Sequence, residues 1–309
     1  MGEGLGDVVV GMPIIRALTR MGPTILVQRS PRQLGISELV TGLAGVIREA
    51  DFDPETLSDD DRYYNLRSHK LQTDYFWGGP EFERDYPGFL INDIQKVMAE
   101  DFGITTADFD VPESFPHQTK SDWQEYTFFV PGTTYDAKTW STTNWLKLRD
   151  LLHGHGHKIC VIGQPAHSQT VRELKAAGMS LFESSSLQEA IDVISSARMV
   201  VSVDTGLMHL AVQQGIVTLG LLQDPIFFRP YPNSHRILSK SCSPDCIAQR
   251  MASRPQDRVR YPVWEWDILG FGKCLLPEME RCINSISAEQ VLQSVLELVP
   301  QNPELVGKS

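Results

Sequence analysis

Four short apolar runs, spaced by amphipathic stretches, constrain what this chain can fold into more than any other feature. Tyr126–Val130, Lys158–Ile162, Met199–Val203 and Val217–Leu222 each have the length and the β-branched or aromatic content of a buried strand. The stretches between and after them, at about 142–153, 168–177, 187–196 and 206–214, read as helices. Alternating strands and helices predict a parallel sheet with right-handed crossovers, an α/β fold. Ser186-Leu187-Gln188-Glu189 opens the third helix as a capping box, in which the Ser and Glu side chains satisfy free backbone N–H groups. Gly215 closes the fourth.

The flanks are less regular. Val10, Ile14 and Leu18 form a helical stripe near the start, Thr24 to Gln28 reads as a strand, and Leu90, Ile94, Val97 and Met98 mark a further helix. Asp51 to Asp61 is acidic and polar, a solvated loop. A stretch at about 107–124, with Pro112 and Pro116, reads as the linker between halves. A second capping box, Ser287-Ala288-Glu289-Gln290, opens a last helix near 288–299. With 309 residues there is room for two domains. The expected division is an N-terminal domain at 1–120, a C-terminal domain at 121–285, and a terminal helix and tail at 286–309.

A formal net charge of −11 argues against a general nucleic-acid binder, because phosphate backbones demand basic surface. An anionic small ligand stays open, since helix N-termini can gather positive potential locally. No apolar run reaches the length of a transmembrane helix, and the start lacks the basic-then-apolar layout of a secretory signal. The expectation is a cytoplasmic protein with, at most, peripheral membrane contact.

Three clusters carry chemistry, each at a strand-to-helix junction of the kind where α/β sheets bind ligands. Gly2-Glu3-Gly4-Leu5-Gly6-Asp7 gives a backbone that can turn tightly, with Asp7 at the mouth of a helix, although a plain helix N-cap has the same pattern. Pro131-Gly132-Thr133-Thr134-Tyr135-Asp136-Ala137-Lys138-Thr139-Trp140 offers hydroxyls, turn N–H groups and one lysine, a cradle for a diphosphate or else a polar surface loop. In Val203-Asp204-Thr205-Gly206-Leu207-Met208-His209-Leu210 a buried strand meets a helix N-terminus able to hold phosphate. Asp204 would repel phosphate, so it is expected to cap the helix or fix the loop. His209, one turn in, reads either as a ligand contact or as a packed core histidine.

In this order, the Gly-Asp-Val opening, the Pro-Gly-Thr-Thr…Lys-x-Trp loop and the Asp-Thr-Gly-x-x-His-Leu-Ala turn resemble the heptosyltransferase family, glycosyltransferase family 9, typified by enzymes that add heptose from ADP-heptose to lipopolysaccharide. The resemblance spans roughly 2–300 and is strongest over 126–222. It implies the GT-B architecture, two Rossmann-like domains with parallel sheets facing across a cleft. It also implies an inverting, metal-independent glycosyltransferase with a nucleotide-sugar donor, ADP-heptose-like, and a glycan or protein acceptor. By the same resemblance Asp7 matches the general base, Thr133, Thr134 and Lys138 match residues on the donor diphosphate, and Asp204, Thr205, Gly206 and His209 match the rest of the donor site. Two departures stand out: the family's strand before the Gly-Asp turn is missing from this chain, and Gly163-Gln164-Pro165-Ala166-His167 lacks the glutamate that the family often places against the ribose. A sugar-nucleotide epimerase of the same architecture and a non-catalytic sugar-nucleotide-binding protein are the competing readings.

Other signals point elsewhere. Asp51-Phe52-Asp53 and Asp108-Phe109-Asp110 spell the Asp-x-Asp of metal-dependent transferases, but in turn-rich segments. His153-Gly154-His155-Gly156-His157 reads as a helix end or a chance metal site. Cys160 reads as an inert core thiol. Cys242, Cys246, Cys274 and Cys282 form two spaced pairs that fit a structural zinc or iron site, reduced thiols or disulfides. No cofactor is expected in catalysis.

Overall fold

The computed structural model describes residues 5–28, 39, 45–48, 51–66, 69–71, 84–106, 109–112, 114–133, 135–223, 226, 228–241, 246, 274 and 276–299. Thr134, Asp108 and Cys242 lie outside these residues, as does the side chain of Asp7. The chain opens with helix α1 (Leu5–Met21), followed by strands β1 (Ile25–Gln28) and β2 (Gly45–Arg48), which pair in parallel. Helix α2 (Ile91–Asp101) follows.

From Tyr126 the alternation is regular: β3 (Tyr126–Val130), α3 (Thr142–Gly154), β4 (Lys158–Ile162), α4 (Gln169–Ala176), β5 (Leu181–Phe182), α5 (Leu187–Ser195), β6 (Met199–Val203), α6 (Gly206–Gln213), β7 (Thr218–Leu222), β8 (Ser234–Leu238) and α7 (Ala288–Leu298). Six strands make one parallel sheet in the order β5-β4-β3-β6-β7-β8. The chain winds outward from β3 to one edge, returns, and winds from β6 to the other. The carboxyl ends of β3 and β6 therefore flank the switch point, where sheets of this kind open a crevice.

Side chains of a strand alternate between sheet faces, so each face has its own core. Phe129, Ile159, Val161, Met199, Val201 and Leu219 pack with Trp145, Leu148 and Leu152 of α3, Val171 and Leu174 of α4, and Val291 and Val295 of α7. Phe128, Val130, Cys160, Ile162 and Val200 pack with Ile191 and Ile194 of α5, Leu210 and Ala211 of α6, and Val8, Val9, Met12 and Ile15 of α1. Helix α1 thus covers the sheet of the C-terminal half.

Caps set several boundaries. Ser287 and Gln290 form the capping box that opens α7. At α5 only half of the expected box is made: Ser186 accepts from the Glu189 N–H, while the Glu189 carboxylate reaches back to Ser185, accepting from its N–H (2.6 Å) and hydroxyl (2.7 Å). Gly215 ends α6 in a left-handed conformation, φ 75°.

The segment after residue 114 is bonded down along its length. The Phe115 N–H donates to Gln214 Oε1 (2.5 Å), the Gln118 N–H to Asp192 Oδ1 of α5 (2.9 Å) and the Lys120 N–H to Ser196 Oγ (2.7 Å).

Candidate functional site

The loop after β3 is braced by its own backbone and by the C-terminal segment. The Tyr135 N–H donates to Thr133 Oγ1 (3.3 Å), the Lys138 N–H to Tyr135 O (3.0 Å) and Thr139 Oγ1 to Tyr135 O (3.1 Å). Trp140 is fully buried and donates from Nε1 to Ile286 O (2.9 Å), while the Ser141 N–H donates to Asn284 Oδ1 (2.9 Å). These bonds fix where Lys138 begins. Its Nζ lies 5.1 Å from the centroid of the Tyr135 ring and 2.5 Å from Asp204 Oδ2.

Asp204 follows β6, so this ion pair joins the two loops that flank the switch point. Its other oxygen, Oδ1, stands 3.1 Å from His209 Nε2. An ionised carboxylate only accepts, so the imidazole donates through Nε2. Burial pushes the Asp204 carboxyl up, but the Lys138 charge and the His209 hydrogen bond outweigh it and hold the group well below the usual carboxylate range. Asp204 does not cap α6: Thr205 is the N-cap residue and makes no side-chain cap bond. Of its two expected roles, loop fixing is the one the geometry contains. The ring of His209 is buried and turned to Asp204.

The third cluster also meets the first. A Cβ built on Gly206 would sit 2.8 Å from the Gly6 nitrogen and 2.9 Å from the Leu5 Cβ; one on Gly6 would sit 3.4 Å from the Gly206 Cα. Only a residue without a side chain allows this approach at Gly206. Helices α1 and α6 therefore begin side by side, and their N-terminal partial charges add at one place. Asp7 is on the first turn of α1, in the same neighbourhood.

The competing signals go elsewhere. Asp53 accepts from the Glu55 N–H (3.0 Å) in an exposed turn, and Asp110 pairs with Lys96. His157 is buried against Thr127 Oγ1 (3.5 Å), and burial holds its pKa down. Cys160 is buried, with its thiol pushed up to about 11. Among the described residues no three His, Cys, Asp or Glu side chains form a metal-binding group. Cys282 is buried, and its Sγ donates to Ser241 O (3.7 Å), the residue before Cys242. Sequence reading missed Tyr135, Trp140 and Asn284 as the supports of Lys138; the aromatic residues beside the Gly-Thr-Thr turn were the available signal.

Comparison with known proteins gives the family and the fold. A model of glycosyltransferase family 9 (heptosyltransferase) matches residues 91–254, just over half of the chain. The chain is 29% identical over 155 residues to lipopolysaccharide heptosyltransferase 1 of Salmonella typhimurium, covering 48% of this chain and 48% of that protein. It spans about half the length of the curated relatives it matches. Among solved structures it resembles the E. coli heptosyltransferase WaaC with ADP (TM-score 0.58, 17% identity, 96% of this chain and 97% of that one). It also resembles the dodecameric iron-containing heptosyltransferase TibC in complex with ADP-D-beta-D-heptose (TM-score 0.63, 15% identity, 96% and 74%). At such identities the likeness is one of fold. With the family model spanning the sheet and its site loops, the chain belongs to glycosyltransferase family 9, the heptosyltransferase family.

Proposed function

We propose that this chain is an inverting glycosyltransferase that moves heptose from an ADP-linked donor to an acceptor hydroxyl on a glycan or protein. The carrying observation is the junction of Lys138, Asp204 and His209 with the N-termini of α1 and α6 at the sheet's switch point. In this reading the half from 121 to 285 holds the donor and the half from 1 to 120 the acceptor. Thr133, Thr134 and Lys138 contact the diphosphate, with the amides at Thr205 and Gly206. Asp204 and His209 hold the lysine in place. Asp7 takes the proton of the acceptor hydroxyl as its oxygen bonds to the anomeric carbon. The bond from that carbon to the diphosphate breaks on the opposite face, and ADP leaves with the electron pair. Lys138 and the helix N-termini stabilise the charge that builds there.

Among the described residues no helix is long and apolar enough to cross a membrane. We place the reaction in the cytoplasm, with peripheral contact where the acceptor is membrane-borne. Cys242, Cys246, Cys274 and Cys282 suit a structural zinc or iron that clips the segment between β8 and α7; the bond from Cys282 to the residue before Cys242 supports this grouping.

The test is calorimetric titration with ADP, GDP and UDP. Micromolar binding of ADP alone, weakened at least tenfold by Lys138→Ala, is the expected result. Preference for GDP or UDP removes heptose from the reading, and binding of none of the three removes the donor site.

A further inference from the structure

We propose that Arg229 is a positioning residue that sets where helix α1, and with it Asp7, stands against the donor half; its catalytic part rests on the transfer reading above. Arg229 lies in the connection between β7 and β8 and is only 3% exposed. A guanidinium carries five N–H donors that must find acceptors when buried. Its Nη1 donates to Asn92 Oδ1 (2.6 Å) and Tyr231 Oη (3.4 Å), and its Nη2 to Gln95 Oε1 (3.0 Å) and to the carbonyl of Val10. No carboxylate touches it directly in these bonds; Asp110 is reached through Asn92, whose Nδ2 donates to Asp110 Oδ1 (3.3 Å). An apolar side chain would fill such a place at lower desolvation cost, so the arginine is explained better by what it connects.

It connects α1 and α2 to the segment between β7 and β8. Pro13 has no N–H for the helical bond to Val9 O and interrupts the ladder of α1. The next carbonyl, Val10 O, accepts from Arg229 and from Gln95 Nε2 (2.9 Å). At the other end of the same turn Gly6 rests on Gly206. Asp7 therefore sits between two contacts with the C-terminal half, one at residue 6 and one at residue 10.

The experiment compares the full chain with Arg229→Met and Arg229→Lys by three readouts. These are amide exchange of residues 5–12 against β6, calorimetric ADP binding, and turnover of ADP-heptose with lipopolysaccharide lacking inner-core heptose. For Arg229→Met we expect α1 exchange and kcat to change at least tenfold, faster and slower respectively, while ADP affinity and donor KM stay within twofold. Arg229→Lys recovers part of both, because one ammonium cannot reach all four acceptors. If Arg229→Met fails to fold, the lysine variant is read alone: wild-type exchange or wild-type kcat in it overturns the proposal. Loosened α1 with unchanged kcat also overturns it, and leaves the transfer reading intact. A wild-type protein that neither binds ADP nor turns over removes the transfer reading and the catalytic role of Arg229; the exchange data then report only on the docking of α1.

Discussion

Lys138 and Asp204 meet at 2.5 Å across the point where the strand order of the sheet reverses. One residue follows β3 and the other follows β6, so the pair closes the crevice from both sides. Asp204→Asn removes the charge that Lys138 meets here and breaks a largely buried pair. The expected cost is about 3 kcal/mol or somewhat more in a denaturant titration, together with weaker ADP binding because Lys138 and His209 lose their common support.

The same carboxyl shapes the acid limb of stability. Its folded pKa lies below the ordinary carboxylate value of 3.8, so its contribution is fully present above that pH and is lost progressively as pH falls from there through the lower folded value. Chemical denaturation between pH 5 and pH 2 should show a steep loss in the wild type and a shallower one in Asp204→Asn. Equal slopes would remove Asp204 from the acid response.

His157 acts in a different window. Burial, with Arg198 and His155 adding, holds its folded pKa below 6.5, so the neutral ring contributes fully above pH 6.5 and the contribution erodes as pH falls below it. Replacing it by Phe should flatten the stability profile between pH 7.5 and 5.5, though burial at His235 leaves a remainder.

Gly206→Ala inserts a methyl group where the Gly6 nitrogen already stands at 2.8 Å. The helix starts must separate, at a cost of about 1–3 kcal/mol, and turnover should fall more than stability does. Gly154→Ala meets nothing within 4 Å and serves as the control; its effect on melting should be small.

Cys160, with its thiol pushed up to about 11, should resist a disulfide reagent at pH 8 until denaturant is added. Rapid labelling of Cys160 in the native protein would contradict its burial.

Much of this architecture was legible from short-range pattern. The strands at 126–130, 158–162 and 199–203 match their apolar runs to the residue, because a parallel strand covered on both faces is apolar throughout. Strand β8 was not visible, since Ser234-His235-Arg236-Ile237-Leu238 lies at the sheet edge with alternating exposure and has no such run. The two-residue β5 is too short to leave a pattern. For the site, the loops carrying Lys138 and Asp204 were readable from their Gly and Thr turns. Their pairing was not, since 66 positions of sequence separate the residues and only the strand order brings them together. The buried acceptors of Arg229 were hidden for the same reason: Asn92 and Gln95 look like ordinary polar positions on a helix, and Val10 contributes only its backbone.

Because α1 lies on the sheet of the other half, the chain is not modular at its linker. A fragment beginning at residue 121 would carry the strands but leave Phe128, Val130, Cys160 and Ile162 without the cover that Val8, Val9, Met12 and Ile15 provide. Such a fragment should self-associate when expressed alone, and a peptide spanning 5–21 should restore its solubility in trans. Shuffling donor halves between relatives would then succeed only when the first helix travels with the sheet it covers.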